Sequence, residues 1–565
     1  MEYGGGTVYD PKTVESVKRE QPAWEAQAKK TLRSDEIPTR TTLSGLEVKP
    51  VYTPADVANI HFSEIGWPGG YPMARGLYPL GYLVTPWMNQ QVMGYGLAEH
   101  SRAVFDRLVA EGMEGYFGHK VMNLVFDNPT KGGIDPDWPE AKGHVGVGGM
   151  NFSNLRDLEI LTNGLDLATT NISMITGDTC LYALAAYVTA AEKQGFDRKV
   201  LRGNSMNWLL KNWHVDNMSF PAKNALYLTG ELIEFASQHM PLWNTLNISG
   251  YLMREAGANA VQELAFCMAW GREVIRHCIN ERGLNVDDFA GRFGFQISAH
   301  MDLFEEVAKM RAWRIMWARM LKEEFGAKNW RTWQARFHVH TCGHALTAQQ
   351  PLVNIVRATI QSLAAVLGGT QSLHTCGYDE ALTIPTEESH RLTLRTQQVI
   401  MYETGVTNVV DPLGGSWYVE SLTQQIIDEA QKIIDHIEEM GGYVAAIESG
   451  YLRRVVNEEA YKYHERIRRG ERIVVGLNKF QIEETEQPKI FHFDPGVEQE
   501  AIRRIRQLKA ERDNAAVEAA LKRVREAAQA RDGLMDSILE AVTVYATQGE
   551  VMNVLKGVFG WGWMP

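Results

Sequence analysis

From about residue 60 to 415 the chain alternates between two periodicities. The runs VMNLVFD (121–127), TNISMIT (170–176), TLNISGY (245–251), RFGFQIS (292–298), QARFHVHT (334–341), TQSLHT (370–375) and TNVVD (407–411) read as strands. Among and between them, GELIEFASQHM (230–240), NAVQELAFCMAWGREVIRHCI (259–279), EEVAKMRAWRIMWARMLKEEF (305–325) and QPLVNIVRATIQSLAAVLG (350–368) place apolar residues three and four apart, as helices do. Repeated strand–helix alternation implies parallel strands and an α/β class. Length and strand number favour a closed (β/α)8 TIM-type barrel over an open sheet. Several of these strands end in polar clusters, FDNPT, ITGDT, SGY, HVHTCGH and SLHT, and the C-terminal ends of barrel strands are where such folds place their chemistry.

The flanks differ. Residues 1–60 are rich in Pro, Gly and charge, with one helical stretch, ESVKREQPAWEAQAKKTLR, and then an extended arm that needs a surface to pack on. After 415 the pattern is helical, as in ESLTQQIIDEAQKIIDHIEEM and VEQEAIRRIRQLKAERDNAAVEAALKRVREAAQA. A solvated appendage and a partner-docking surface both remain open for it. The expected organisation is an arm (1–60), a barrel (61–415) and a helical extension (416–565).

Charge and composition narrow the function. Lys and Arg total 57 against 69 Asp and Glu, a net charge of -12, which argues against bulk nucleic-acid binding but leaves room for a local basic groove. The N-terminus MEYGGGTVYDPK lacks the charged-then-apolar pattern of a secretory signal, and no apolar run is long enough for a membrane span. The five cysteines are odd in number and scattered, as thiols of a reducing cytoplasm are.

In HVHTCGH, His338, His340, Cys342 and His344 recur every second residue and would share one strand face. That is either a zinc or iron constellation or the polar lining of a ligand cavity; ligands in barrels usually come from several strands, which favours the lining. SGYLMREAGA (249–258) reads as a strand–helix turn that projects Tyr251 into the barrel mouth. FDNPTKGGIDPD (126–137) lacks the ligand density of a calcium loop. VGVGGMNF (145–152) lacks the helix context of a nucleotide fingerprint.

Several stretches together resemble the large, substrate-binding chain of the methylmalonyl-CoA mutase family of adenosylcobalamin-dependent acyl-CoA mutases. They are PGGYPMARGLYPLGYLVTPWMNQQVMGYGLAEHS (68–101), FDNPTKGGIDPD, ISGYLMREAGA, EEVAKMRAWRIMWA (305–318), LGGTQSLHTCGYDEALTIPTE (367–387) and ETGVTNVVDPLGGSWYVESLT (403–423), in the family's order. The resemblance implies an isomerase in which acyl-CoA threads a TIM-type barrel and adenosylcobalamin (coenzyme B12) caps its C-terminal face. The family's cobalamin motif, Asp-x-His-x-x-Gly, is missing from the sequence. The resemblance therefore implies a separate small cobalamin-binding subunit that supplies the cobalt ligand, as in the split isobutyryl- and 2-hydroxyisobutyryl-CoA mutases. It further implies a heterotetramer of two large and two small subunits, a G-protein chaperone, and no metal ligand in this chain.

Residue by residue, the resemblance makes Tyr251, His338, His340, Gln371 and Glu380 the catalytic candidates, Gln371 and Glu380 lying near cobalamin and the adenosyl ribose. Tyr78 matches an aromatic near the substrate. Arg75, Arg292 and Arg331 are the expected CoA contacts. The pocket departs from the family elsewhere. Val92 stands at a family Tyr, and Tyr227 at the Arg that pairs with the methylmalonyl carboxylate. Losing such a charge-assisted bond costs roughly 1.5–3 kcal/mol, so methylmalonyl-CoA is a poor candidate. Val125 stands at the Asp of 2-hydroxyisobutyryl enzymes. Gly81 replaces a Met, Leu252 the His beside the thioester carbonyl, His340 a Gln, His344 a Trp, and Cys376 an Asn. A wider, more apolar pocket is the result, suited to a bulky alkyl- or aryl-substituted acyl-CoA. A substituted malonyl/succinyl pair of the benzylmalonyl type stays open, its second carboxylate bonded by Tyr227, His338 or His340. Three other readings stay open: an isobutyryl- or 2-hydroxyisobutyryl-type mutase, a catalytically silent acyl-CoA-binding relative, and a metal-dependent barrel enzyme built on the His338–His344 strand.

Overall fold

The computed structural model describes residues 9–32, 36–37, 39–113, 115, 118–210, 218–483 and 489–563. The first eight residues of the expected arm, and Arg33 at the end of its helical stretch, lie outside them. The parallel sheets are built from ten short strands: β1 (Met88–Asn89), β2 (Val92–Met93), β3 (Lys120–Val125), β4 (Thr170–Ile175), β5 (Arg202–Asn204), β6 (Trp243–Asn244), β7 (Leu246–Ser249), β8 (Phe293–Ala299), β9 (Phe337–Thr341) and β10 (Ser372–His374). They fall into two five-stranded sheets in the orders β7-β8-β9-β10-β1 and β2-β3-β4-β5-β6. Every pairing within the two is parallel. Gln90 and Gln91 alone separate β1 from β2, and Thr245 alone separates β6 from β7, so the chain steps directly from one sheet to the other at both places. The fold is mixed α/β with parallel sheets and many helices.

Side-chain alternation explains the layering. In β8 the odd-numbered Phe293, Phe295 and Ile297 face the helices, where the Phe295 ring meets Trp313 at 5.5 Å and Trp317 at 4.8 Å. The even-numbered Gln296 and Ser298, like His338 and His340 of β9, point to the other face. Parallel strands covered on both faces are normally aliphatic on both; here one face is polar.

Two segments depart from expectation. TNVVD is not a strand: Thr407 lies in a turn, Asn408 to Val410 in bends, and Asp411 adopts φ +52°. Its carboxylate ties Arg75 (3.0 Å) to Arg311 (2.6 Å), and charge pairing holds it where a strand would have put ladder bonds. The strands β1, β2 and β5 are too short and too polar for periodicity to find.

The C-terminal helices differ: Tyr451–Arg468 buries only Leu452 and Val456, while others join the core. Helix Trp417–Glu439 packs on helices Leu303–Arg319 and Ala260–Asn280, and helix Leu534–Thr543 packs on Cys180–Lys193. One continuous hydrophobic core runs from Ala74 to Phe559. The N-terminal helix Pro11–Leu32 contributes only Val14 to buried surface. Tyr9 just before it hydrogen-bonds Gly415 and Trp417. Among the described residues, no helix is long and apolar enough to cross a membrane.

A fully buried ion network fixes the ends of β7 and β8. Lys309 Nζ lies 2.6 Å from Glu263, 2.5 Å from Glu306 and 2.6 Å from the Ser298 carbonyl oxygen. Glu263 also accepts from the Ser298 N–H (2.8 Å). Arg254, one turn past β7, pairs with Glu306 at 3.0 Å and donates to the Ala258 carbonyl at 2.6 Å. Breaking a buried pair from one side strands a charge in low dielectric. Lys309→Met should therefore lower unfolding free energy by about 3–5 kcal/mol, read as a fall in the urea midpoint.

Candidate functional site

Two cavities lie at opposite ends of the strands. The upper one, about 1080 Å³, is lined by residues at or just past strand C-termini, including Val92, Val125, Tyr251, Leu252, His340 and Glu380. The lower one, about 390 Å³, is lined from strand N-termini by Arg202, Arg292, Arg336, His338 and Gln371, among others. Unpartnered polar groups continue from the lower cavity's own lining, Asn247 and His338, to Asn123 of β3, and form a waist toward the upper cavity. Both side-chain polar atoms of Asn123, Oδ1 of Asn247 and Nε2 of His338 are buried without a hydrogen-bond partner. Buried amides and imidazoles are rarely left so, and each such atom costs on the order of 1–3 kcal/mol. The axis is shaped for a ligand that supplies hydrogen bonds along its length.

The lower cavity is cationic. No Asp or Glu is among the described residues lining it. Burial, and then the like charges of Arg336, Arg202 and Arg331, lower the Arg292 pKa to about 10. Guanidinium groups gathered around one cavity favour an anion there. Arg331 itself is exposed, its guanidinium 5.7 Å from the Trp330 ring. Tyr78 stands at the rim of this cavity.

In the upper cavity the parallel register of β9 and β10 sets His340 beside His374. Their ring centroids are 4.0 Å apart, and the Tyr251 ring lies 4.1 Å from His340 on a tilted stack. Burial drives the His340 pKa down to about 4 and the His374 pKa lower than usual, so both rings are neutral at neutral pH. His340 Nδ1 donates to the Thr341 carbonyl oxygen (2.9 Å) and His374 Nδ1 accepts from the Val92 N–H (3.0 Å). Cys376 is buried behind this stack, its thiol donating to the same Thr341 oxygen at 3.1 Å.

His340, His374 and Cys376 bring three potential metal-ligand atoms within 4.8 Å of one another. The hydrogen bonds argue against that use. Only one nitrogen of a neutral imidazole has a free lone pair, and His374 already spends its own on the Val92 N–H. The HVHTCGH residues do not converge either. His338 faces the lower cavity, bonded through Nδ1 to Ser372 Oγ (2.8 Å), while His344 Nδ1 bonds the Glu255 carbonyl oxygen (3.1 Å) outside both cavities.

Glu380 is half-buried and lines the upper cavity. No hydrogen bond from a described residue reaches its carboxyl group; burial, then the charges of Glu255 and Asp379, raise its pKa to about 8. Glu255 is held by the N–H groups of Gly343 (2.9 Å) and His344 (2.7 Å). Burial likewise raises the Tyr251 pKa, keeping the phenol protonated.

Five expected site residues are not where the expectation put them. Tyr227 sits on the outer helix Ala222–His239, between the guanidinium groups of Arg282 (4.9 Å) and Arg531 (4.7 Å), so it cannot meet a substrate carboxylate in either cavity. Gln371 is at the opposite end of β10 from Glu380. Its Oε1 accepts from the Phe337 N–H (2.7 Å) and its Nε2 donates to the Gly369 carbonyl (2.7 Å), a strand-end brace. Gly81 (φ +43°) and Arg75 line a small separate recess, where a Cβ on Gly81 would touch Val410 at 3.5 Å. Cys376 does not line the upper cavity. Asp127 in FDNPT is a helix cap that also accepts from Gly146 of the glycine-rich loop (2.6 Å).

Sequence reasoning missed Arg202, Arg336, Gln296 and His374. His374 had a signal: SLH places it two residues from Ser372, on the same face. The arginines had none, each standing alone at the start of a different strand.

Comparisons with known proteins bear on this geometry. The sequence profile of the family described as Methylmalonyl-CoA mutase matches residues 41–561. The chain is 38% identical over 542 residues to "Methylmalonyl-CoA mutase" of Cereibacter sphaeroides, covering 95% of this chain and 75% of that protein. It is 37% identical over 524 residues to the "2-hydroxyisobutanoyl-CoA mutase large subunit" of Aquincola tertiaricarbonis, covering 92% of each. With the human mitochondrial methylmalonyl-CoA mutase it shares 36% over 544 residues, 95% of this chain and 71% of that one.

The Glu380 value fixes a pH dependence. Its folded pKa, about 8, stands above the ordinary 4.5. The folded chain thus keeps a proton that the unfolded chain releases across that window, and the group costs stability as pH rises through it. Glu380→Gln should gain stability relative to the parent between pH 4.5 and 8 and show no such trend below; urea unfolding at a series of pH values checks this.

Proposed function

The chain belongs to the methylmalonyl-CoA mutase family, and from that premise we propose that it is the large subunit of an acyl-CoA mutase acting on a bulky, mainly apolar acyl group. The family's enzymes are isomerases, intramolecular transferases that use adenosylcobalamin. In this reading the two sheets close through β1–β2 and β6–β7 into one (β/α)8 barrel within residues 61–415, and residues 416–565 buttress it. The observation that carries the reading is the axis itself: a cationic chamber, a waist of unpartnered polar atoms and a large chamber above, in one line.

The parts match the chemistry of an acyl-CoA. Phosphates meet Arg202, Arg292 and Arg336. The amides of the pantetheine arm satisfy Asn123, Asn247 and His338. The acyl group lies in the upper cavity against Val92, Val125 and Leu252. That cavity exceeds what an acyl group alone would fill, and the neutral Glu380 carboxyl can both donate to and accept from a ribose hydroxyl. Adenosylcobalamin bound there would supply the hydrogen-abstracting radical. The chain's own task is to hold the substrate still and keep water out. Because Tyr227 lies far from the cavity, a second carboxylate loses one of its expected partners, which favours a monocarboxylic acyl group. A small cobalamin-binding subunit completes the site from above, in a heterotetramer of two large and two small subunits served by a G-protein chaperone.

Reconstitution with such a subunit and adenosylcobalamin, followed by turnover of acyl-CoAs from isobutyryl and methylmalonyl to aryl-substituted, tests the substrate reading. The bulky compounds should turn over fastest; fastest turnover of isobutyryl- or methylmalonyl-CoA refutes the enlarged pocket. Arg292→Ala should raise KM for the acyl-CoA by roughly tenfold or more with kcat little changed, and should leave the matching acyl-pantetheine unaffected.

A further inference from the structure

Apolar residues make up one wall of the upper cavity, Val92, Val125, Ile175 and Leu252, and they offer a thioester oxygen nothing to bond. The facing stack of Tyr251, His340 and His374 has its protons placed by the backbone. A carbonyl oxygen can only accept, so the contact with Thr341 puts the His340 proton on Nδ1 and leaves Nε2 a lone pair. A backbone N–H can only donate, so the contact with Val92 makes His374 Nδ1 the acceptor and puts its proton on Nε2. The neighbouring rings therefore present opposite faces: an acceptor from His340 and a donor from His374.

We propose that His374 Nε2–H is the donor that holds the thioester carbonyl oxygen of the bound acyl group, its tautomer locked by the backbone N–H of Val92. The proposal rests on the acyl-CoA reading and names the residue that orients its reacting end. Val92 thus has two roles in one residue: its side chain lines the apolar wall, and its N–H sets the proton on the polar one. His340 stacks behind as a neutral plate, which keeps the donor from turning away. Gln296 is one competing donor; the Tyr251 hydroxyl and Asn128 line the same cavity. Gln296 Oε1 accepts from Ser249 Oγ (3.3 Å), which leaves its Nε2 hydrogens to the cavity it lines.

The test compares two ligands on the full chain by calorimetry: isobutyryl-CoA and its thioether, S-isobutyl-CoA, which lacks only the carbonyl oxygen. The wild-type chain should bind the thioester roughly fivefold to tenfold more tightly, the worth of one neutral hydrogen bond. His374→Leu should bring the two affinities together while still binding the thioether. A preference that survives His374→Leu, or one abolished by Gln296→Leu instead, overturns the proposal. If neither ligand binds the wild-type chain, it is the acyl-CoA reading that has failed. Should His374→Leu not fold, histidine-labelled wild-type chain gives the answer by 15N resonance: His374 protonated at Nε2, shifting with the thioester and not with the thioether. Protonation at Nδ1, or an equal response to both, overturns it.

Discussion

Lys309 holds the site together from a position that touches neither cavity. A lysine without water, between two carboxylates and a carbonyl oxygen, is tolerable only while all its partners stay in place. Those partners belong to the end of β8, to the helix Ala260–Asn280 and to the lysine's own helix Leu303–Arg319, whose Glu306 passes the constraint to Arg254. Arg254 lies three residues beyond Tyr251. The next residue, Glu255, binds two N–H groups just past β9. One chain of charge-assisted bonds thus runs behind three successive strand ends. Tyr251, Leu252 and His340 project from backbone that has little freedom to move, which is the positioning that radical chemistry needs.

The second constraint works the other way. The inward face of the strands carries amides, hydroxyls and imidazoles where aliphatic side chains would have stabilised the fold better. The arginines below repel one another, and their charges help hold Arg292 below its usual pKa. Such an interior is costly to fold, and a ligand with phosphates at one end and hydrogen-bonding groups along its middle, as proposed above, would recover that cost. Stability has been exchanged for an interior that a long polar molecule can enter.

How much the sequence revealed depends on where the information lies. β3, β4, β8 and β9 were legible because their outward residues are apolar at every second position. β1 and β2 were hidden by the glutamines between them, and β5 by having only three residues, Arg-Gly-Asn. TNVVD has strand composition but is held in turns by arginines from distant segments. The family resemblance placed Glu380 and Tyr251 in the upper cavity, yet put Gln371 beside Glu380, because sequence proximity says nothing of which end of a strand a side chain serves. The proton position on His374 was beyond sequence altogether: its partner, Val92, lies 282 residues away along the chain.

The two cavities open at opposite ends of the strands, with the waist between them. A long molecule entering past the arginines and a bulky one settling over Glu380 use different doors. In the acyl-CoA reading, the two molecules therefore approach from opposite faces and meet only at the acyl group, in the upper cavity.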